Sequence, residues 1–106
     1  MPLESYPVKL LLSYDMLPDV QENYLQFMLG ELVPTLQTLG VHMSGAWHTA
    51  YGDYPVRLVE FIIEDRQQLE AALINPLWTQ LEERLLAYVI NYSKKVVRLR
   101  ENHFQF

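Results

Sequence analysis

The sequence contains no cysteine, which excludes disulfides, a thiolate nucleophile and cysteine-based metal sites. It has no apolar run of the roughly 18 residues that a membrane span needs, and its N-terminus shows no basic-then-apolar leader. A cytoplasmic protein without membrane insertion is therefore expected. Positive charge is scarce: eight Lys and Arg stand against 13 Asp and Glu, a net charge of −5. That balance opposes non-specific binding to nucleic acid or anionic lipid, both of which need a basic footprint. The basic cluster Lys94, Lys95, Arg98 and Arg100 reads as a solvated strand edge where charge discourages aggregation. Phosphate-loop, nucleophile-elbow and Ser-His-Asp patterns are missing, as is a carboxylate pair at glycosidase spacing.

What the chain does have is apolar bulk. Half of its 106 residues are hydrophobic, and a monomer of this size, one domain, buries only about two thirds of the surface its unfolded chain exposes. The surplus points to a homodimer in which a second copy covers apolar surface.

Val8–Tyr14 reads as a first strand, ended by Asp15-Met16-Leu17-Pro18. Asp19 and Glu22 have the spacing of a capping box and predict a helix. Its buried stripe is Val20, Tyr24, Phe27, Met28, Leu32, Leu36 and Leu39. Pro34 interrupts that pattern and predicts a kink near Gly30–Glu31, and Gly40 ends the helix.

Val41–Tyr51 alternates at the period of a strand, placing Val41, Met43, Trp47 and Tyr51 on one face and His42, Ser44, Ala46, His48 and Ala50 on the other. Gly45 inside the run allows a bulge or a close backbone approach. Val56–Ile63 is β-branched and aromatic, and with Gly52 and Asp53 between them the two runs form an antiparallel hairpin with a loop of about five residues. A second helical region opens at Asp65 and Gln68, another capping box, with Leu69, Ala72 and Leu73 inward. Asn75-Pro76 interrupts it and restarts it, with Leu77, Trp78, Leu81, Leu85, Tyr88 and Val89 facing the core. Val96–Arg100 is the last strand, and Phe104 and Phe106 form an aromatic tail.

The order is β-α-β-β-α-β, a ferredoxin-like α+β pattern in which one antiparallel sheet carries two helices on one face. Apolar residues occur at both strand parities, Leu11, Val59, Phe61 and Ile63 against Leu10, Leu12, Leu58 and Ile62. Both sheet faces therefore want burial. Two sheets packed face to face satisfy that requirement and make a dimeric α+β barrel.

Gly45, Trp47, Thr49 and Gly52 in the hairpin, Leu58 and Glu60 in the next strand, Trp78 after the helix break, and Val33-Pro34 with Leu39-Gly40 resemble the NIPSNAP-like family of the dimeric α+β barrel superfamily. The resemblance spans nearly the whole chain in element order. It implies the fold, and since bacterial members mostly lack an assigned activity it implies little about reaction. Two features depart from relatives: the first strand has no arginine after its tyrosine, and Arg66–Val89 contains no histidine where haem-binding members of the superfamily carry one. No cofactor is expected.

The candidate chemistry is sparse. His42 and His48 are six residues apart, roughly 20 Å along a strand, too far to share a metal, and His103 adds no ligand spacing. No metal site is expected. His48, beside Trp47, is a candidate acid or base if it faces a pocket, against the plainer reading of an exposed histidine. Glu60 lies inside an apolar strand and must pair or take up a proton. Candidate partners are Lys9, Tyr14 and Arg98, and Arg57 has the wrong parity. Tyr14, Tyr24, Trp47, Tyr51 and Trp78, with Phe27, either line a cavity between sheet and helices or fill the core. Superfamily members that are cofactor-free monooxygenases hold aromatic substrates in such a cavity, so the resemblance allows a cofactor-independent monooxygenase or isomerase. The other reading is a non-catalytic dimeric interaction protein.

Overall fold

The computed structural model describes residues 6–51 and 54–99, and at 49–51, 54 and 55 it describes the backbone alone. The elements run β1 Val8–Met16, α1 Gln21–Phe27, a π-helical turn Met28–Leu32, α2 Val33–Thr38, β2 His42–Tyr51, β3 Tyr54–Ile63, α3 Arg66–Leu73, α4 Pro76–Leu85 and β4 Val89–Arg98. One four-stranded antiparallel sheet has the order β2-β3-β1-β4. The expected α+β architecture is present, and β2 and β4 are its edges.

Alternation in β1 decides which face is covered. Val8, Leu10, Leu12, Tyr14 and Met16 are buried while the residues between them are half-buried. Val59, Phe61 and Ile63 of β3 join them in one core with Tyr24, Phe27, Leu32 and Leu36 of the first helical layer and Leu69, Trp78, Leu81 and Leu85 of the second. The opposite face has no helix on it. There Leu11 pairs with Glu60, Ser13 with Leu58 and Lys9 with Ile62.

Pro34 lacks an N–H, so the preceding turn cannot hold regular α geometry. The chain absorbs the fault as a π turn in which the Val33 N–H donates to the Met28 carbonyl, five residues back. The expected kink region is thus a widened turn, and the predicted stripe stays on the core side through it. Asn75 accepts from the Leu77 N–H at 2.9 Å and Asp65 from the Gln67 N–H at 2.9 Å, so both later helices start on side-chain caps.

Five local expectations are corrected. Asp19 does not cap α1: it takes φ 67°, a left-handed conformation that Asp tolerates behind Pro18, and Val20 is the N-cap without a side-chain bond. The last helix stops at Leu85, so Tyr88 and Val89 belong to the turn and to β4. That strand starts seven residues early, because the polar stretch Asn91–Lys95 lies on an exposed edge where no apolar alternation is required. The hairpin is tighter than a five-residue loop, since pairing continues to Tyr51 and Tyr54. Finally, a bulge between Met43 and Gly45 makes Ser44 the extra residue and reverses the parity of β2. Met43 now pairs with Phe61 on the helix side, whereas Trp47 pairs with Leu58 on the open face. The Trp47 ring folds back over Gly45, where an added Cβ would lie 2.7 Å from the ring.

Candidate functional site

The helix-covered face carries a polar cluster at one end of an otherwise apolar core. Tyr14 reaches it because its parity in β1 is that of Val8, Leu10 and Leu12, and Tyr24 because it lies on the buried stripe of α1. Their hydroxyls are 2.5 Å apart and their rings meet edge to face at 5.9 Å. Arg57 pairs with Tyr14 across β1 and β3, sharing the parity of the buried Val59, Phe61 and Ile63. Its guanidinium carbon stands 5.3 Å from the Tyr24 ring centre. Among the described residues the Arg57 Nε is buried without a hydrogen-bond partner. His48 is the register partner of Arg57 in β2 and is exposed, as is Ala46. The cluster thus lies next to exposed residues of the edge strand.

On the other side of Tyr14, Tyr92 lies 6.3 Å away ring to ring and donates to Glu82 at 2.6 Å. The same carboxylate oxygen accepts from Lys94 at 2.9 Å, and the Lys94 ammonium stands 5.3 Å from the centre of the Trp78 ring. Part of the basic cluster is thus spent on internal pairing rather than on a binding surface. Likewise Arg98 stacks over Tyr6.

Burial pushes the Tyr14 hydroxyl far above its ordinary value, with the neighbouring Tyr24 adding to the effect and the Arg57 charge opposing it. Burial also raises Tyr24, against a hydrogen bond from Tyr14 and the pull of Arg57. Tyr92 is raised by burial and then by its bond to Glu82. Each of these phenols ionises near 10.0 in the unfolded chain and resists ionisation when folded. Their contribution to stability is full below pH 10 and is lost as pH rises towards the folded-state values. A titration followed by tyrosinate absorbance and ellipticity tests this. Of the seven tyrosines, these three should ionise only as ellipticity collapses, whereas ionisation of all seven with ellipticity intact would contradict the burial.

The remaining sequence-derived candidates divide between the faces. Trp78 is buried in α4. Trp47 is half exposed on the open face, away from the tyrosines. Glu60 is also on the open face, 15% exposed, paired with Lys9 at 3.4 Å and accepting from Ser44 Oγ at 2.9 Å. Of its expected partners only Lys9 is there, because Tyr14 lies on the other face and Arg98 is stacked on Tyr6. His48 and Glu60 consequently cannot act on one molecule bound to a single face. The Ser44 bulge also separates His42 from His48, one on each face, and among the described residues no group of three or more His, Asp or Glu is placed to hold a metal. The side chain of Tyr51, His103, Arg100, the Gly52-Asp53 turn, Phe104 and Phe106 lie outside the described residues. Arg57 was missed in the sequence, although its parity with Val59, Phe61 and Ile63 marks it as an arginine aimed at the core.

The fold and this cluster define a ferredoxin-like α+β domain. No family model matches the sequence and no curated protein matches it. Solved structures do match. A NIPSNAP family protein from Agrobacterium tumefaciens superposes with a TM-score of 0.67 at 11% identity over 96% of this chain and 93% of that one. An uncharacterized NIPSNAP domain protein from Burkholderia xenovorans gives 0.65 at 13% identity over 90% and 96%. A Caulobacter crescentus protein provisionally described as an antibiotic biosynthesis monooxygenase gives 0.70 at 8% identity over 92% and 93%. The chain shares the fold of NIPSNAP-domain and antibiotic-monooxygenase-like proteins. No helix among the described residues is long and apolar enough to cross a membrane.

Proposed function

We propose that this is a NIPSNAP-like protein that works in the cytoplasm as a homodimer joined through its open sheet face, and that each copy binds a small aromatic or apolar ligand between sheet and helices beside Tyr14 and Tyr24. The observation that carries the reading is the buried tyrosine pair next to an arginine with an unused donor, beside the exposed Ala46 and His48 of the edge strand. Buried polar groups are normally satisfied, so leftover hydrogen-bonding capacity at an accessible end of the core favours a ligand over simple packing. His48, next to Arg57 on this side of the sheet, would be the group that moves a proton, and Glu60 would serve the dimer face instead. Cofactor-independent oxygenation or isomerisation suits this arrangement, since a histidine near the tyrosine pair can supply proton transfer to a bound substrate.

A second reading, a non-catalytic interaction protein with a filled core, draws on the complete burial of Trp78, Phe61, Leu10 and Leu12. Thermal unfolding of the homodimer across a library of small aromatic and acyl compounds separates the two. A ligand that binds only the native state raises the melting temperature with the logarithm of its concentration. A dose-dependent rise that is reduced in Tyr14→Phe supports the ligand site, whereas uniformly flat curves favour the interaction protein.

A further inference from the structure

The Tyr14–Tyr24 pair contains two hydroxyl hydrogens and uses one. When one phenol donates to the other, the acceptor's own O–H is left to find a partner, and among the described residues neither hydroxyl has one beyond the pair. Beside it, the buried Nε–H of Arg57 also has no acceptor among the described residues. Arg66 has a similarly orphaned Nε, but its guanidinium pairs with Glu70. Arg57 takes part in none of the ion pairs among the described residues. Two spare donors and a cation without a carboxylate partner among the described residues thus lie side by side at the end of the core next to His48. A neutral apolar ligand would leave both donors buried and unpaired, an unfavourable state for any polar group. A carboxylate would satisfy both donors and the charge, because it only accepts and offers about four lone-pair sites.

We infer that the ligand of this site is a small aromatic or unsaturated carboxylic acid, whose carboxylate is bound by Arg57 Nε and by the spare hydroxyl of the Tyr14–Tyr24 pair while its apolar body lies towards Ala46 and His48. This rests on the ligand-site reading given above. The Arg57 guanidinium stands 5.3 Å from the Tyr24 ring centre, which puts its charge beside the pair.

Thermal unfolding of the full-length homodimer with matched pairs of probes, benzoic and cinnamic acids against benzamide and cinnamamide, tests the inference at a pH where the acids are ionised. On the wild-type protein at least one acid should bind ten times or more tightly than its amide, and Arg57→Gln should bring the two to parity. Arg57→Lys should retain part of the preference, because it keeps the charge but loses the planar fork. Equal binding of an acid and its amide would overturn the carboxylate inference and leave the ligand site standing. An acid preference undiminished in Arg57→Gln would place the anion elsewhere and overturn it as well. No binding by any of the four compounds would count against both the inference and the site. The wild-type comparison decides the first point even if the variants fold poorly.

Discussion

Leu58→Asp is expected to halve the mass of the native protein in solution, from twice 12.5 kDa to that of one chain. Leu58 lies in the middle strands of the open face, opposite Ser13 on one side and Trp47 on the other. Leu11 and Ile62 are half-buried on the same face, and Trp47 and Val56 are exposed beside them at 50% and 38%. A second copy packed there would bury these groups by two-fold symmetry, so each substitution enters the interface twice. An aspartate at position 58 would have to lose its water without a cation to replace it, a cost of about 3 kcal/mol or more, or at least a hundredfold in Kd. Glu60 occupies the same face without this penalty because Lys9 and Ser44 already satisfy it. The monomer should keep its ellipticity, since Leu58 contributes nothing to the helix-side core. Sedimentation equilibrium checks the result, and an unchanged mass for Leu58→Asp, or a monomeric wild type, would remove the open face as the dimer contact.

The largest loss of stability is expected from Trp78→Ala, about 3–5 kcal/mol. Trp78 is 2% exposed in α4, packed over the sheet with Lys94 on its ring. Truncation leaves a cavity that neither the short α4 nor the sheet can close, and it strips the Lys94–Glu82–Tyr92 chain of bonds of the surface on which it lies. Domains of this size have only about 5–15 kcal/mol to lose, so the variant should be marginal. Urea denaturation at one fixed protein concentration is the proper measurement, because a dimer's apparent stability depends on concentration. A midpoint shift corresponding to less than 1 kcal/mol would mean that this ring is not held in the core.

Much of the fold was legible because local and global signals agree. The stripe from Val20 to Leu39, the Asn75-Pro76 restart and the alternation of β1 each report one period, and all three elements form, with ends that differ at Asp19, Leu85 and Met16. Legibility failed where one residue changed the phase. Ser44, an extra residue in β2, moved Trp47 to the open face and separated His42 from His48, and no pattern in the sequence states on which side of Gly45 the count will slip. Likewise β4 starts at Val89 and runs through a polar stretch that resembles a loop, with Asn91 at φ 57° beside a register shift against β1. Of the cluster, Tyr14, Tyr24 and His48 are singled out by chemistry and spacing in the sequence. Arg57 enters there only as a partner for Glu60 and is set aside for its parity, the same parity that puts it on the core side with Val59 and Phe61. Glu60 was correctly singled out as needing a partner, but its partner, Lys9, holds it on the open face away from the tyrosines.

In the proposed protein the helix-covered end of the sheet binds the ligand and the open face joins two copies. Titration of isotopically labelled homodimer with benzoate, followed by NMR at the backbone amides and at the Arg57 Nε–H, tests this most directly. Saturable shifts at Arg57 Nε–H, Tyr14, Tyr24 and His48, with Lys9, Trp47 and Glu60 unmoved, are the expected result. Shifts confined to the open-face residues, or no saturable shift at all, would contradict it.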